Sequence, residues 1–358
     1  MSAPRYHAPY MEYAKTREHA RFDLGGSNIL ACSIDDLPGA RDAVALSGDN
    51  DTGYAPLIDA IAGRSGTTPS HITTATGTAG ANFFALAALV EPGDDVLVER
   101  PGYDPLLGAA RLLGARTLRF DRTEPSGFSL DPERVRAALT PRTRAIIVTH
   151  PHNPTGVAAD ERALLEIGDI AARANAHVIV DEVYRDVSPV AGAAFATRGD
   201  VFVTTNSLTK SYGLSSLRCG WVIASEEISY RVRRVRDVVD GTGSIVAERL
   251  AALAFARLDA LSVRARTILA RNKAIVDAFL SSRHELRWTP SQATVVFPRI
   301  EGLDDVSEFA ERLLRERETG IVPGRFFDSP AHFRLGFGGD TERLRGGLER
   351  LAAALDAR

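Results

Sequence analysis

Residues 145–184 read AIIVTHPHNPTGVAADERALLEIGDIAARANAHVIVDEVY. The aliphatic run AIIVTH stops at a proline-rich turn, and ERALLEIGDIAARA then spaces its apolar residues near i, i+3 and i+4, as a helix lying on a sheet does. HVIV returns to a continuous apolar run, which suits a strand covered on both faces. Strand, crossover helix and strand in that order are the unit of a parallel sheet.

The same alternation extends outward over about residues 70 to 225. DDVLVE (94–99), ARTLRF (115–120), DVFVTT (200–205) and CGWVIA (219–224) are further predicted strands, and ANFFALAALV (81–90), PLLGAARLLG (105–114) and DPERVRAALT (131–140) further helices. Past residue 225 the pattern changes to arginine-bearing helices, ISYRVRRVRDVVD (228–240) and one long stretch over 247–280. The last part mixes the short strands ATVVFPRI (293–300) and HFRLGFG (332–338) with helices at 306–317 and 342–355. The expected fold is α/β: a mainly parallel sheet with helices on both faces in a large domain, residues 45–270, and a smaller α+β domain built from residues 1–44 and 271–358.

Composition narrows the function. A net charge of −3 offers no basic footprint for nucleic acid, and a mean hydropathy of −0.09 does not fit a membrane-like composition. The N-terminal residues lack the apolar core of a signal peptide, and the two cysteines, Cys32 and Cys219, cannot build a disulfide framework, so a reducing, cytoplasmic setting is expected. The partner of such a chain is a small molecule. Of the 43 basic residues only Lys15, Lys210 and Lys273 are lysines, so chemistry that needs a primary amine has three candidates.

Ligands of open α/β sheets sit beyond the carboxyl ends of the strands. After HITTAT comes Gly77-Thr78-Ala79-Gly80, whose small residues and following helix N-terminus suit a phosphate, although such glycine turns also precede helices that bind nothing. After DDVLVE, Tyr103 would either stack on a flat cofactor or pack in the core. AIIVTH ends in a rigid turn that presents the Asn153 amide. His150 and His152 have no carboxylate support in sequence, and no metal site is expected. HVIV delivers Asp181, followed by Tyr184; a carboxylate there needs a cationic partner such as a protonated ring nitrogen. DVFVTTN leads to Ser207-Leu208-Thr209-Lys210, which places Lys210 at a strand end among small hydroxyl residues, whereas Lys15 and Lys273 lie in polar or helical surroundings.

Taken together, HNPTG at 152–156, DEVY at 181–184 and SLTK at 207–210, with Arg218 eight residues after Lys210, resemble the class I/II aminotransferases, pyridoxal-phosphate enzymes of the aspartate-aminotransferase-like fold type I. IVPGRFF and HFRLGFG resemble that family's later segments, and the likeness covers about residues 20 to 355. It implies that Lys210 carries the cofactor as a Schiff base and moves protons, that Asp181 pairs with the pyridine nitrogen, and that Asn153 and Tyr184 bond the phenolic oxygen. It further implies that Tyr103 stacks on the ring, that Thr78, the Ala79 backbone, Ser207 and Arg218 hold the phosphate, and that Arg334 clamps the substrate carboxylate, beside Asn153. The expected activity is amino transfer between an α-amino acid and a 2-oxo acid in a homodimer with sites at the interface. A lyase, cyclase or decarboxylase would use the same residues. One departure stands out: the segment where the family places a phosphate-binding tyrosine from the neighbouring subunit reads Ser47-Gly48-Asp49-Asn50-Asp51-Thr52-Gly53-Tyr54, leaving Tyr54 as the candidate aromatic and an acidic pair that would suit a basic side chain.

Overall fold

A computed structural model describes residues 7–189 and 192–358. The first six residues of the expected small domain lie outside the described residues. Seven strands form the central sheet: β1 (Ile72–Thr76), β2 (Asp95–Arg100), β3 (Arg116–Asp121), β4 (Thr143–Thr149), β5 (His177–Asp181), β6 (Phe202–Ser207) and β7 (Cys219–Ile223). Their spatial order is β1-β7-β6-β5-β4-β2-β3, and β7 alone runs against the others.

Alternation along the strands builds two cores. Val96, Val98, Ile147, Ile179 and Val203 face one layer, where they meet Phe84, Leu106 and Val232. Leu97, Ile146, Val148, Val178 and Val180 face the other, against Val135, Leu164 and Ile167. Because successive side chains of a strand point to opposite faces, continuous apolar runs such as IIV and VIV serve both layers at once.

Helices α1 (Pro9–Thr16) and α2 (Gly77–Leu89) bring residues to the site, and the long helix α3 (Leu258–Ser281) packs in two apolar cores. The second begins directly at the end of β1, so its N-terminus lies at the sheet's carboxyl edge. The terminal region adds an antiparallel sheet of β8 (Val295–Val296), β9 (Val322–Pro323) and β10 (Phe333–Gly336) in the order β8-β10-β9, and Phe22–Asp23 pairs in parallel with Thr319–Gly320.

The long helix expected over 247–280 is two helices, Ile245–Phe255 and α3. The break closes with a tight turn in which Arg257 N–H donates to Ala254 O, and neither proline nor glycine marks it, so no local signal announces it. Residue 270, the expected domain boundary, falls inside α3: Leu258 and Leu261 of this helix pack into the core beside Trp221 and Ala251, whereas Ala265, Leu269, Val276 and Leu280 join the core of the terminal region.

Candidate active site

Five strand ends and the segment before β1 converge on one cavity of about 300 Å³ whose lining includes Met11, Asn28, Thr78, Ala79, Asn82, Tyr103, Asn153, Asp181, Lys210 and Arg218. Ser207, Tyr184 and Arg334 are fully buried just behind that lining. The ten residues expected to act in catalysis or to hold cofactor and substrate carboxylate therefore gather at one place, whereas Tyr54 does not join them.

Lys210 follows the end of β6 and donates from Nζ to Ser27 Oγ at 2.8 Å. Burial pushes its amine down to about 7, helped by Arg334 and Arg218 and opposed by Asp181. The opposing group closes β5. Asp181 Oδ2 accepts from Asn82 Nδ2 at 2.9 Å and its Oδ1 from Val183 N–H at 3.1 Å; burial nevertheless raises its carboxyl to about 6, against these bonds and Lys210. Asn82 is itself oriented by Thr205, which donates to its Oδ1 at 2.6 Å. A buried acid facing a buried amine across a cavity suits a cationic ring nitrogen on one side and a carbonyl on the other.

The phosphate side is built from backbone constraints. Gly77 has φ +70, where glycine is favoured, and a Cβ there would stand 2.3 Å from Arg218 Nη2. At Gly220 of β7 a Cβ would stand 2.4 Å from the Gly77 carbonyl carbon, so strand and turn touch backbone to backbone. Thr78 Oγ1 donates to Ser207 Oγ at 2.8 Å, which sets two hydroxyls beside the α2 N-terminus. Arg218 makes only long contacts to carbonyls, Ser215 O at 3.3 Å and Thr76 O at 3.4 Å. A guanidinium with no carboxylate partner among the described residues, over free helix N–H groups, is an anion cradle.

On the opposite side Arg334 of β10 is fully buried, also without a carboxylate partner among the described residues. Its Nη1 donates to Asn153 Oδ1 at 3.1 Å, its Nη2 to Tyr10 Oη at 2.5 Å and to Gly25 O at 3.1 Å, and its Nε has no partner. The Tyr184 hydroxyl, buried beside Ser27, makes no hydrogen bond of good geometry either, and burial lifts it to about 12. Tyr103 lines the cavity with its ring edge-on to Tyr10 at 5.8 Å and its hydroxyl on Met11 Sδ at 3.4 Å. These orphaned polar atoms, two unpaired arginines and an amine fit a flat anionic cofactor with an acidic substrate group beyond it.

The turn that carries Asn153 is braced from behind. His152 Nε2 sits 2.9 Å from Pro101 O and Nδ1 2.7 Å from Thr155 Oγ1, while the buried pair Glu99 and Arg122, 2.9 Å apart, lies next to it and Glu99 also accepts from Thr149 N–H. His150 Nδ1 accepts from Ala159 N–H, so both histidines serve the scaffold. Tyr54 lies away from the cavity: its N–H donates to Glu248 Oε2 at 2.9 Å and its ring packs in the core of Trp221 and Ile61. Asp49 and Asp51 are exposed and do not line the cavity either.

Comparison with known proteins agrees with this geometry. The profile of the aminotransferase class I and II family matches residues 39–351. The chain belongs to that family. Pyridoxal phosphate is accordingly its cofactor and amino transfer its class of reaction. Capreomycidine synthase of Streptomyces vinaceus is 32% identical over 84% of this chain and 78% of its own. A pyridoxal-phosphate-dependent aminotransferase from Streptococcus suis superposes with a TM-score of 0.91 at 28% identity, covering 100% of this chain and 99% of that one. The pyridoxal-phosphate-dependent cyclase OrfR superposes with a TM-score of 0.87 at 27% identity over the whole of both chains.

The sequence reading missed Asn82, Ser27 and Tyr10. Asn82 had a signal, a lone amide in the otherwise apolar run ANFFALAALV, because a polar group inside such a helix needs a partner. Ser27 and Tyr10 had none, since both reach the site only through the tertiary path of the N-terminal segment.

Proposed function

We propose that this aminotransferase works through Lys210, with Asp181 and Tyr184 beside it, on an α-amino acid and a 2-oxo acid. The observation that carries the reading is the Lys210 amine facing Asp181 in a cavity lined by Arg218 and backed by Arg334, neither of which has an anionic partner among the described residues. Bound pyridoxal phosphate supplies an electron sink for the charge left at the substrate Cα. Asp181 would hold the ring nitrogen, with Asn82 fixing the carboxylate's direction; Asn153 and Tyr184 would take the phenolic oxygen, and Tyr103 the ring face. Thr78, Ala79 N–H, Ser207 and Arg218 would hold the phosphate. Arg334 and Asn153 would orient the substrate carboxylate. Lys210 Nζ, with its proton affinity lowered toward neutrality, takes the proton from Cα and hands it on, and Ser27 keeps the amine directed while it does so.

Cyclisation is the second reading, supported by the likeness to the cyclase OrfR. One experiment separates the two. The holoenzyme is screened against amino acids without an acceptor: amino transfer gives one equivalent of 2-oxo acid per site and turns over only when a 2-oxo acid is added. Continuous product formation without any acceptor would replace transfer by cyclisation or elimination.

The chain is further proposed to pair with a second copy and to reside in the cytoplasm. Leu46 is 92% exposed and Val238 86%, with Leu30, Ile34, Val44 and Val239 also exposed, an apolar set that a partner would cover. Both cysteines are free, and among the described residues no helix is long and apolar enough to cross a membrane.

A further inference from the structure

We infer that the Tyr10 hydroxyl is a second donor for the substrate α-carboxylate, which makes helix α1 part of the substrate site. The inference rests on the proposed role of Arg334 as the carboxylate clamp. Of that guanidinium's five N–H groups, one goes to Asn153 Oδ1 and two leave Nη2 for Tyr10 Oη and Gly25 O, so the Nε–H and one Nη1–H remain. Both Nη2 protons, which a two-donor fork on a carboxylate would draw on, are therefore already engaged, one of them by the tyrosine. Tyr10 Oη accepts from Arg334 at 2.5 Å, yet its own proton meets no acceptor among the described residues, although the side chain is only 9% exposed. A hydroxyl that accepts from a cation becomes a stronger donor, and a buried O–H without an acceptor is costly unless a ligand completes it.

The helix is held so that this hydroxyl stays put. Tyr10 N–H donates to Asp104 Oδ2 at 3.1 Å, and the Tyr10 ring packs on Tyr103 at 5.8 Å and on Phe327 at 5.7 Å. The guanidinium also lies over the Tyr10 ring, 4.9 Å from its centre. One residue on, Met11 lines the cavity together with Tyr103 and Asn153. Arg334 supplies the charge and Tyr10 a neutral donor at its edge.

The test uses the holoenzyme and two aminooxy probes that need no knowledge of the substrate side chain: aminooxyacetate, which carries a carboxylate, and O-methylhydroxylamine, which does not. Each displaces Lys210 from the cofactor and frees the lysine amine, and the loss of yellow absorbance gives its rate. The ratio of the two rates reports carboxylate recognition alone. Tyr10→Phe should lower that ratio about tenfold, one hydrogen bond's worth at a charged site, and leave the O-methylhydroxylamine rate unchanged. Tyr10→Leu offers the same comparison should the phenylalanine variant not fold. An unchanged ratio overturns the inference, and so does a raised one, which would mean that the carboxylate has to displace Tyr10. Arg334→Lys is the control: if it lowers the ratio and Tyr10→Phe does not, only the tyrosine's role falls. If Arg334→Lys leaves the ratio unchanged, the clamp itself falls.

Discussion

Lys210 and Asp181 each sit where burial works against their ordinary charge, and each is the other's partial remedy. The lysine amine becomes a nucleophile when it loses its proton, and with its proton affinity lowered to about 7 it is substantially neutral at physiological pH. The rate at which cofactor-free protein captures pyridoxal phosphate should therefore rise with pH through a midpoint near 7; a midpoint near the ordinary lysine value of 10.5 would contradict the assignment. Asp181 holds the Lys210 proton on, so Asp181→Asn should move that midpoint lower, while turnover of the loaded enzyme drops by several orders of magnitude. Borohydride reduction followed by peptide mapping checks the residue itself: the label belongs on Lys210, and recovery on exposed Lys15 or on Lys273, ion-paired to Asp277, would refute it.

The turn from β1 into α2 shows how elements convert chain geometry into affinity. Gly77→Ala places a side chain at φ +70 and crowds the mobile end of Arg218, so it should leave the protein folded but weaken cofactor binding by about tenfold or more, as an equilibrium titration would show. Gly220→Ala is more severe, because its Cβ meets backbone that cannot swing aside; it should lower the melting temperature as well. Strands and their order along the chain were legible because IIV, VIV and VLV are apolar runs bounded by turns, and the residues just after them, Asp181, Asn153 and Lys210, follow from where sheets bind ligands. The break after Phe255 and the arrival of Tyr10 and Ser27 were not legible. Those depend on packing between segments hundreds of residues apart, such as Tyr10 with Arg334, to which local periodicity is blind.

For the whole molecule, the proposed second copy would cover the exposed Leu46 and Val238, and sedimentation should give twice the chain mass of 38.6 kDa. Leu46→Glu with Val238→Glu should shift that mass toward the single chain; a wild-type monomer at micromolar concentration would remove the pairing proposal. Helix α3 has a different consequence. It carries Leu258 and Leu261 in one core and Val276 and Leu280 in the other, with no glycine or proline between them to act as a joint. A rod anchored at both ends transmits strain, so the two cores should melt as one calorimetric event, and a fragment ending at residue 270 should fail to refold because it severs the rod halfway along.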